Sequence, residues 1–318
     1  MNVNKLNAAD TRNLLFSVLN RRQRAEFEQK KEIDFALSIT LNEGGTGAEK
    51  YHRFRVNGFY QKGSISCAIR VINQVIPGAD QLGLPPVILD MANHHHGLVL
   101  ITGPTGHGKS TTLACMINQI NLTRSCHIIT IEDPIEYVHN NKKAIIEQRE
   151  LLADTLSYGN AMKYILRQDP DVILIGEMRD PETISAALTA AETGHLVLAT
   201  LHTNDAVQTV DRIIDSFPPH HQNQIRSQLA ACLVGVVAQR LLPRKDKNGR
   251  VAVFEILTGT IAVKANIRDN KTHQIKATME TSQKEGMVTM DKALVDLYNQ
   301  DLITRQTVKS MALDKNII

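Results

Sequence analysis

Near the start of the chain the spacing of apolar residues changes from helical to alternating. Leu14, Leu15, Val18, Leu19 and Phe27 recur at roughly helical spacing within residues 8–28, with Asn7 placed to cap the start, which predicts one amphipathic helix. Ile33, Phe35, Leu37 and Ile39 then alternate with Asp34, Ala36 and Ser38. After a glycine-rich turn at Gly44-Gly45-Thr46-Gly47, alternation resumes through Phe54-Arg55-Val56 and Ile65-Ser66-Cys67-Ala68-Ile69. A period of two describes a small antiparallel sheet with one face covered. Pro77-Gly78 and Leu84-Pro85-Pro86 punctuate a linker and a short helix, so the first domain is expected to span residues 1–80.

From residue 97 alternation gives way to continuous apolar runs. These are Leu98-Val99-Leu100-Ile101, Ile128-Ile129-Thr130-Ile131, Val172-Ile173-Leu174-Ile175 and Leu196-Val197-Leu198-Ala199, separated by helix-compatible segments. Such runs suit strands buried on both faces of a parallel sheet. After about residue 215 the pattern reads as mainly helical, with one strand at Val251 to Leu257. The expectation is an α/β chain: a small α+β domain, then a larger one over residues 81–318 that ends in a helical region.

Composition narrows the function classes. A chain of 318 residues with 42% hydrophobic content can bury a core of that size. The 36 Lys and Arg against 33 Asp and Glu leave a net charge of +3, and aromatics make up 4%. Neither a basic field nor stacking platforms for nucleic acid are expected. Cys67, Cys115, Cys126 and Cys232 stand far apart with no C-x-x-C pair, which argues against structural zinc or a disulfide framework. The longest apolar run, Leu229 to Ala238, is about half of the roughly 20 residues that cross a bilayer. With no signal peptide after Met1, a cytoplasmic protein without a transmembrane segment is expected.

Gly103-Pro104-Thr105-Gly106-His107-Gly108-Lys109-Ser110 matches G-x-x-x-x-G-K-[ST] at every position, and Leu98 to Thr102 supply the strand that must precede it. Backbone N–H groups and the start of the following helix face the phosphates, Lys109 adds a cation for the β and γ groups, and Ser110 can ligate Mg²⁺. The ATP-binding segment thus runs from Gly103 through Thr111. His107 occupies a position where such loops commonly carry a small residue; its ring either packs over the nucleotide or faces solvent while the backbone alone is used.

Hydrolysis needs a carboxylate to orient or deprotonate water, and others to steady the metal. The strand Val172 to Ile175 runs into Gly176-Glu177, which projects Glu177 at the carboxyl edge of the sheet and makes it the expected general base. Ile131-Glu132-Asp133-Pro134-Ile135-Glu136 repeats the arrangement, offering Glu132, and less strongly Asp133, as oxygen ligands for Mg²⁺ directly or through water. For Asp133 and Glu136 an ordinary helix start at Pro134 explains the acids equally well. His202 ends the strand Leu196 to Leu201 on the same edge as Glu177 and is placed to sense the γ-phosphate; His195 is read as structural, and His94-His95-His96 as a solvated run.

At these residues the chain resembles the type II/IV secretion ATPase superfamily, most specifically the PilT-like retraction motors of type IV pili. Gly103 to Thr112 resembles the family's Walker A, Ile131 to Glu136 its aspartate box, Leu166 to Asp180 its Walker B and Ala191 to Thr203 its histidine box. Phe54-Arg55-Val56-Asn57, Ile213 to Pro219, Gln239 to Arg244 and Gly286 to Asp291 add to the likeness. The resemblance implies a PAS-like first domain and a RecA-like second one. It further implies a homo-hexameric ring at the inner face of the cytoplasmic membrane, an inner-membrane pilus platform protein as partner, paralogous pilus ATPases as further partners, and twitching motility as the output. Arg55 and Arg70 match family arginines that reach the phosphates from the first domain.

Two departures bear on that expectation. The helix and strands that precede the segment corresponding to Leu6 in the family are missing, so the first domain is expected to be incomplete. The tetracysteine zinc motif of the pilus-assembly and type II secretion branch is also missing, which favours retraction over extension. The alternatives are a secretion-type or accessory pilus ATPase of the same superfamily, or a regulatory subunit that binds nucleotide without hydrolysing it.

Overall fold

A computed structural model describes residues 5–42, 49–72, 75–314 and 317–318. The turn expected at Gly44-Gly45-Thr46-Gly47 lies outside the described residues. The chain divides into two compact units, Met1–Val75 with Pro134–Val138, and Ile76–Asp133 with His139–Ile318.

The first unit begins with helices α1 (Ala8–Val18) and α2 (Arg21–Lys30). The strands β1 (Glu32–Asn42), β2 (Glu49–Gln61) and β3 (Ser64–Ile72) follow, paired antiparallel in the order β1-β2-β3. Where one helix was expected over residues 8–28 there are two. Leu19 is extended, and the Asn20 side chain accepts from the Gln23 N–H while the Gln23 side chain accepts from the Asn20 N–H. That reciprocal cap restarts the helix. The apolar spacing runs through the break because Leu15, Leu19 and Phe27 all join Ile33, Phe35, Val56 and Ile65 in one core.

The second unit opens with α3 (Ala79–Leu82) and α4 (Pro86–Ala92), followed by β4 (Gly97–Thr102), α5 (Lys109–Thr123), β5 (His127–Glu132) and β6 (Ile145–Glu150). Next come α6 (Tyr158–Ile165), β7 (Val172–Ile175), α7 (Pro181–Glu192), β8 (Leu196–Leu201), α8 (Ala206–Asp215) and α9 (Pro219–Cys232). The unit closes with β9 (Leu233–Pro243), β10 (Arg250–Thr258), α10 (Ile261–Arg268), α11 (Ile275–Thr281), α12 (Met290–Asn299) and α13 (Arg305–Met311). Among the described residues the strands form one seven-stranded sheet in the order β10-β9-β4-β8-β7-β5-β6, parallel except for β10.

Alternate residues of the central strands feed opposite cores, as the pleat requires. Leu98, Leu100, Ile129, Ile131, Ile173, Ile175, Val197 and Ala199 pack on the side carrying α6 to α9. Val99, Ile101, Ile128, Val172, Leu174, Leu196 and Leu198 pack on the side carrying α4 and α5. Both faces are dry, which is why these strands are uniformly apolar.

The stretch after residue 215 is mainly helical and carries the strand expected at Val251 to Leu257 as β10, but it adds a second strand, β9, between α9 and β10. The Leu229 to Ala238 run is the seam: its first part ends α9 and the rest is β9, paired with β4 from Leu98 with Leu233 to Thr102 with Ala238. A short apolar run carries no period that separates helix from strand. Glu255 of β10 is buried, and its carboxylate accepts from the Ala206 N–H (2.8 Å) and the Met290 N–H (3.0 Å), fastening the starts of α8 and α12 to the sheet. Burial pushes its pKa up against those two hydrogen bonds. No helix among the described residues is long and apolar enough to cross a membrane.

The cap between α1 and α2 has a measurable weight. Replacing Asn20 with alanine is expected to destabilise the first unit by about 1 kcal/mol in urea unfolding; a loss below about 0.3 kcal/mol would refute the capping account.

Candidate functional site

Parallel pairing of β4, β8, β7 and β5 brings their carboxyl ends to one edge of the sheet. The ends of those strands and the segments after them carry the phosphate loop, His202, Glu177 and Glu132–Asp133 respectively. Residues distant in sequence thus share an edge because their strands share a direction.

The loop leaves β4 at Gly103, whose φ of +136° and lack of Cβ are both required: a Cβ there would lie 2.2 Å from the Gln239 carbonyl oxygen. Gln239, near the end of β9, is buried and takes a 2.7 Å hydrogen bond from the Thr112 hydroxyl on the first turn of α5. Lys109 is buried, and its ammonium donates to the carbonyls of Gly103 (2.7 Å) and Pro104 (3.0 Å). Burial lowers its pKa, with Glu177 opposing the shift. Ser110 is exposed and Thr111 half-buried on the same turn.

Lys109 lies 3.4 Å from His202 Nδ1, and His202 Nε2 lies 3.2 Å from Glu177 Oε1. An ammonium has no lone pair, so Nδ1 is the acceptor, and Nε2 carries the proton donated to the carboxylate. The neighbours therefore set the tautomer. Thr105 Oγ1 also stands 3.5 Å from Nδ1. The other Glu177 oxygen accepts from Arg179 Nη2 at 2.7 Å. Burial alone would raise the Glu177 pKa, but the hydrogen bond and charge of Arg179 and the hydrogen bond from His202 outweigh it and hold the carboxyl below its ordinary value. An unbroken line from Lys109 through His202 to Glu177 and Arg179 results.

Glu177 is held from behind. Thr200 Oγ1 donates to the Gly176 carbonyl (2.5 Å), and the Thr200 carbonyl accepts from the Met178 N–H (3.1 Å), so β8 grips the residues on both sides of Glu177. Gly176 sits where a Cβ would meet the Ile131 carbonyl and the Tyr158 hydroxyl, each at 3.1 Å. Burial and the charges of Asp133 and Glu177 push the Tyr158 pKa upward, keeping the phenol protonated. Glu132 Oε1 accepts from Thr130 Oγ1 (2.7 Å) and Gln148 Nε2 (3.1 Å), while Asp133 is exposed. No helix starts at Pro134, so the helix-start account of Asp133 and Glu136 does not apply.

Two further expected residues belong to the first unit. Arg55 on β2 and Arg70 on β3 are cross-strand partners, and Arg55 pairs with Asp34 (2.6 Å) and stands 4.0 Å from Glu136. His107 follows neither reading drawn for it. Its ring turns back to β9, where Nδ1 accepts from the Leu241 N–H at 2.9 Å. His195 makes a local bond to the Ala190 carbonyl (2.9 Å).

Sequence reasoning missed Arg179, Thr200, Tyr158, Gln148 and Gln239. Arg179 carried a signal, a cation two residues from the expected base. Gln239 carried another, a polar residue closing an apolar run. The rest act through tertiary neighbours that spacing does not encode.

The model of the type II/IV secretion system protein family matches residues 48–312. The chain is 47% identical over 312 residues to the twitching motility protein of Neisseria gonorrhoeae, covering 98% of this chain and 81% of that protein. It is 44% identical over 299 residues to the type IV pilus retraction ATPase PilT of Pseudomonas aeruginosa, covering 94% and 84%. Its structure is similar to the crystal structure of the pilus retraction motor PilT with bound ADP, with a TM-score of 0.88, 45% identity and coverage of 97% and 85%.

Arg179 accounts for the depressed acidity of Glu177. In Arg179→Ala the Glu177 carboxyl, followed by carbon-13 NMR, is expected to titrate at higher pH than in the parent, because burial then acts with one cation fewer to oppose it. An unchanged titration would sink that account.

Proposed function

The chain belongs to the type II/IV secretion system protein family and is an ATPase, and we propose that the work it performs is retraction of type IV pili. The observation that carries this reading is the near-full-length likeness to pilus retraction ATPases. The chemistry behind it is the Lys109–His202–Glu177 line, which joins the phosphate loop to an ionised carboxylate at the edge of a RecA-like sheet.

The residues take complementary roles. Backbone N–H groups of Gly103 and of Thr105 through Thr111, with the Lys109 ammonium, cradle the β and γ phosphates. Glu177, kept ionised by Arg179 and His202, takes a proton from water as its oxygen bonds to the γ-phosphorus and the bond to the ADP oxygen breaks. His202 lies between Lys109 and Glu177, so a γ-phosphate drawing on Lys109 alters the hydrogen bond that His202 offers the base. Arg55 and Arg70 stabilise charge that develops on the phosphates; for Arg55 this exchanges the Asp34 carboxylate for another anion.

Mg²⁺ travels with ATP and neutralises phosphate charge. The donors present suit it: the Ser110 hydroxyl with the carboxylates of Glu132 and Asp133 is an all-oxygen set, and a hard cation shared with phosphate needs few protein ligands.

The first domain, to about residue 80, and the ATPase domain after it move against each other with each turnover in a homo-hexameric ring. The ring acts at the inner face of the cytoplasmic membrane on a pilus platform protein.

Glu177→Gln is expected to leave ATP affinity within about threefold of the parent and to lower kcat by about a hundredfold or more. Retained turnover would remove Glu177 as the base. Complementation of a retraction-deficient, piliated strain checks the output; failure with full ATPase activity would reject retraction.

A further inference from the structure

Strand β9 outruns its partner. The last β4–β9 pair is Thr102 with Ala238, yet β9 continues to Pro243, and beyond that pair β4 has already turned into the phosphate loop. On its other edge β9 stays paired with β10, Leu241 opposite Ala252. Backbone N–H groups on the edge that β4 has left need other acceptors, since an unmatched N–H away from water costs as much as a lost hydrogen bond. The Leu241 N–H finds one in His107 Nδ1 at 2.9 Å. A loop side chain thus continues the ladder where the strand stops.

We propose that His107 is a positioning residue of the phosphate loop: its Nδ1 fastens the loop to β9 through the Leu241 N–H and so keeps the loop in the form that binds nucleotide. The fastening is distinct from the contact of the loop backbone with phosphate and rests on the nucleotide-binding reading only for its consequence. It works beside Arg250 of β10, whose Nη1 donates to the Gly106 carbonyl at 3.3 Å, so the residues just before Gly108 are tied to both strands of the hairpin. A loop free to leave its binding form lowers apparent affinity by the fraction of time it spends elsewhere.

The environment keeps the ring in the form that can accept. Burial lowers the His107 pKa, and the charged groups acting on it, Arg240 on β9, Arg250 on β10 and Lys109 on α5, are all cations that lower it further. With Nδ1 accepting, the proton of the neutral ring sits on Nε2. A protonated ring would set two donors facing each other.

Asparagine separates this role from simple space-filling, because its side-chain oxygen can stand where Nδ1 stands and accept the same N–H. Amide hydrogen exchange at Leu241 and ADP affinity are to be measured on the full chain for the parent, His107→Ala and His107→Asn. In His107→Ala the Leu241 amide is expected to exchange about tenfold faster, the worth of one ordinary hydrogen bond, with ADP bound roughly threefold or more weaker. His107→Asn is expected to restore both. Toward acid pH the parent loses affinity relative to His107→Asn, which has no ring to protonate.

Unchanged exchange at Leu241 in His107→Ala overturns the proposal, as does His107→Asn behaving like His107→Ala, or ADP affinity that ignores a faster Leu241. Should the parent take up no ADP while the exchange pattern holds, the fastening stands and the nucleotide-binding reading falls.

Discussion

The common direction of β4, β8, β7 and β5 is the constraint on which the remaining geometry rests. Parallel pairing sends the end of each strand to the same edge, and the continuous apolar runs hold the register because both faces of every strand are buried. A strand slipped by one residue would exchange its two faces. With the register held, four segments far apart in sequence deliver a cation, a histidine and carboxylates to one edge of the sheet, and three of them meet in the line from Lys109 through His202 to Glu177. Hydrogen bonds from Thr200 to the Gly176 carbonyl and from Met178 to the Thr200 carbonyl then set the last detail, the placement of Glu177.

Electrostatics along that edge are balanced rather than uniformly strong. Lys109 is desolvated, which weakens its hold on its proton, while Glu177 supports the charge. Glu177 is half desolvated in turn, and Arg179 and His202 keep it ionised. Lys109 and Glu177 thus support each other's charge, and His202 between them presents its two ring nitrogens to opposite kinds of partner. Such coupling suits a site whose phosphate charge changes during turnover, since a change at one end alters hydrogen bonding at the other.

A second support comes from the β9–β10 hairpin. Gln239 lies under Gly103 and holds Thr112, His107 reaches Leu241, and Arg250 reaches Gly106, so the loop rests on strands formed much later in the chain. Glu255, on the same hairpin, accepts from the first residues of α8 and α12. The segment after His202 and the C-terminal helices are therefore fastened to one buried carboxylate. Its burial cost is partly offset by two backbone donors at helix starts, where a negative charge is favoured.

The sequence by itself determined the strand-to-helix loop at Gly103 to Ser110, the two-face burial of the central strands and the position of Glu177, Glu132 and His202 at the carboxyl ends of theirs. Each is a matter of adjacency or period: a loop motif is contiguous, a doubly buried strand is uniformly apolar, and a polar residue closing such a strand sits at the sheet's edge. The break between α1 and α2 was legible only in part, because the core contacts of Leu15, Leu19 and Phe27 carry helical spacing across a cap that interrupts the helix. Tertiary structure alone decided that Leu233 to Pro243 is a strand beside β4, that Gln239 and Leu241 meet the loop, that Arg179 and His202 hold Glu177, and that His107 turns inward. Those outcomes depend on which segments become neighbours, and pairing partners distant along the chain leave no period in either segment.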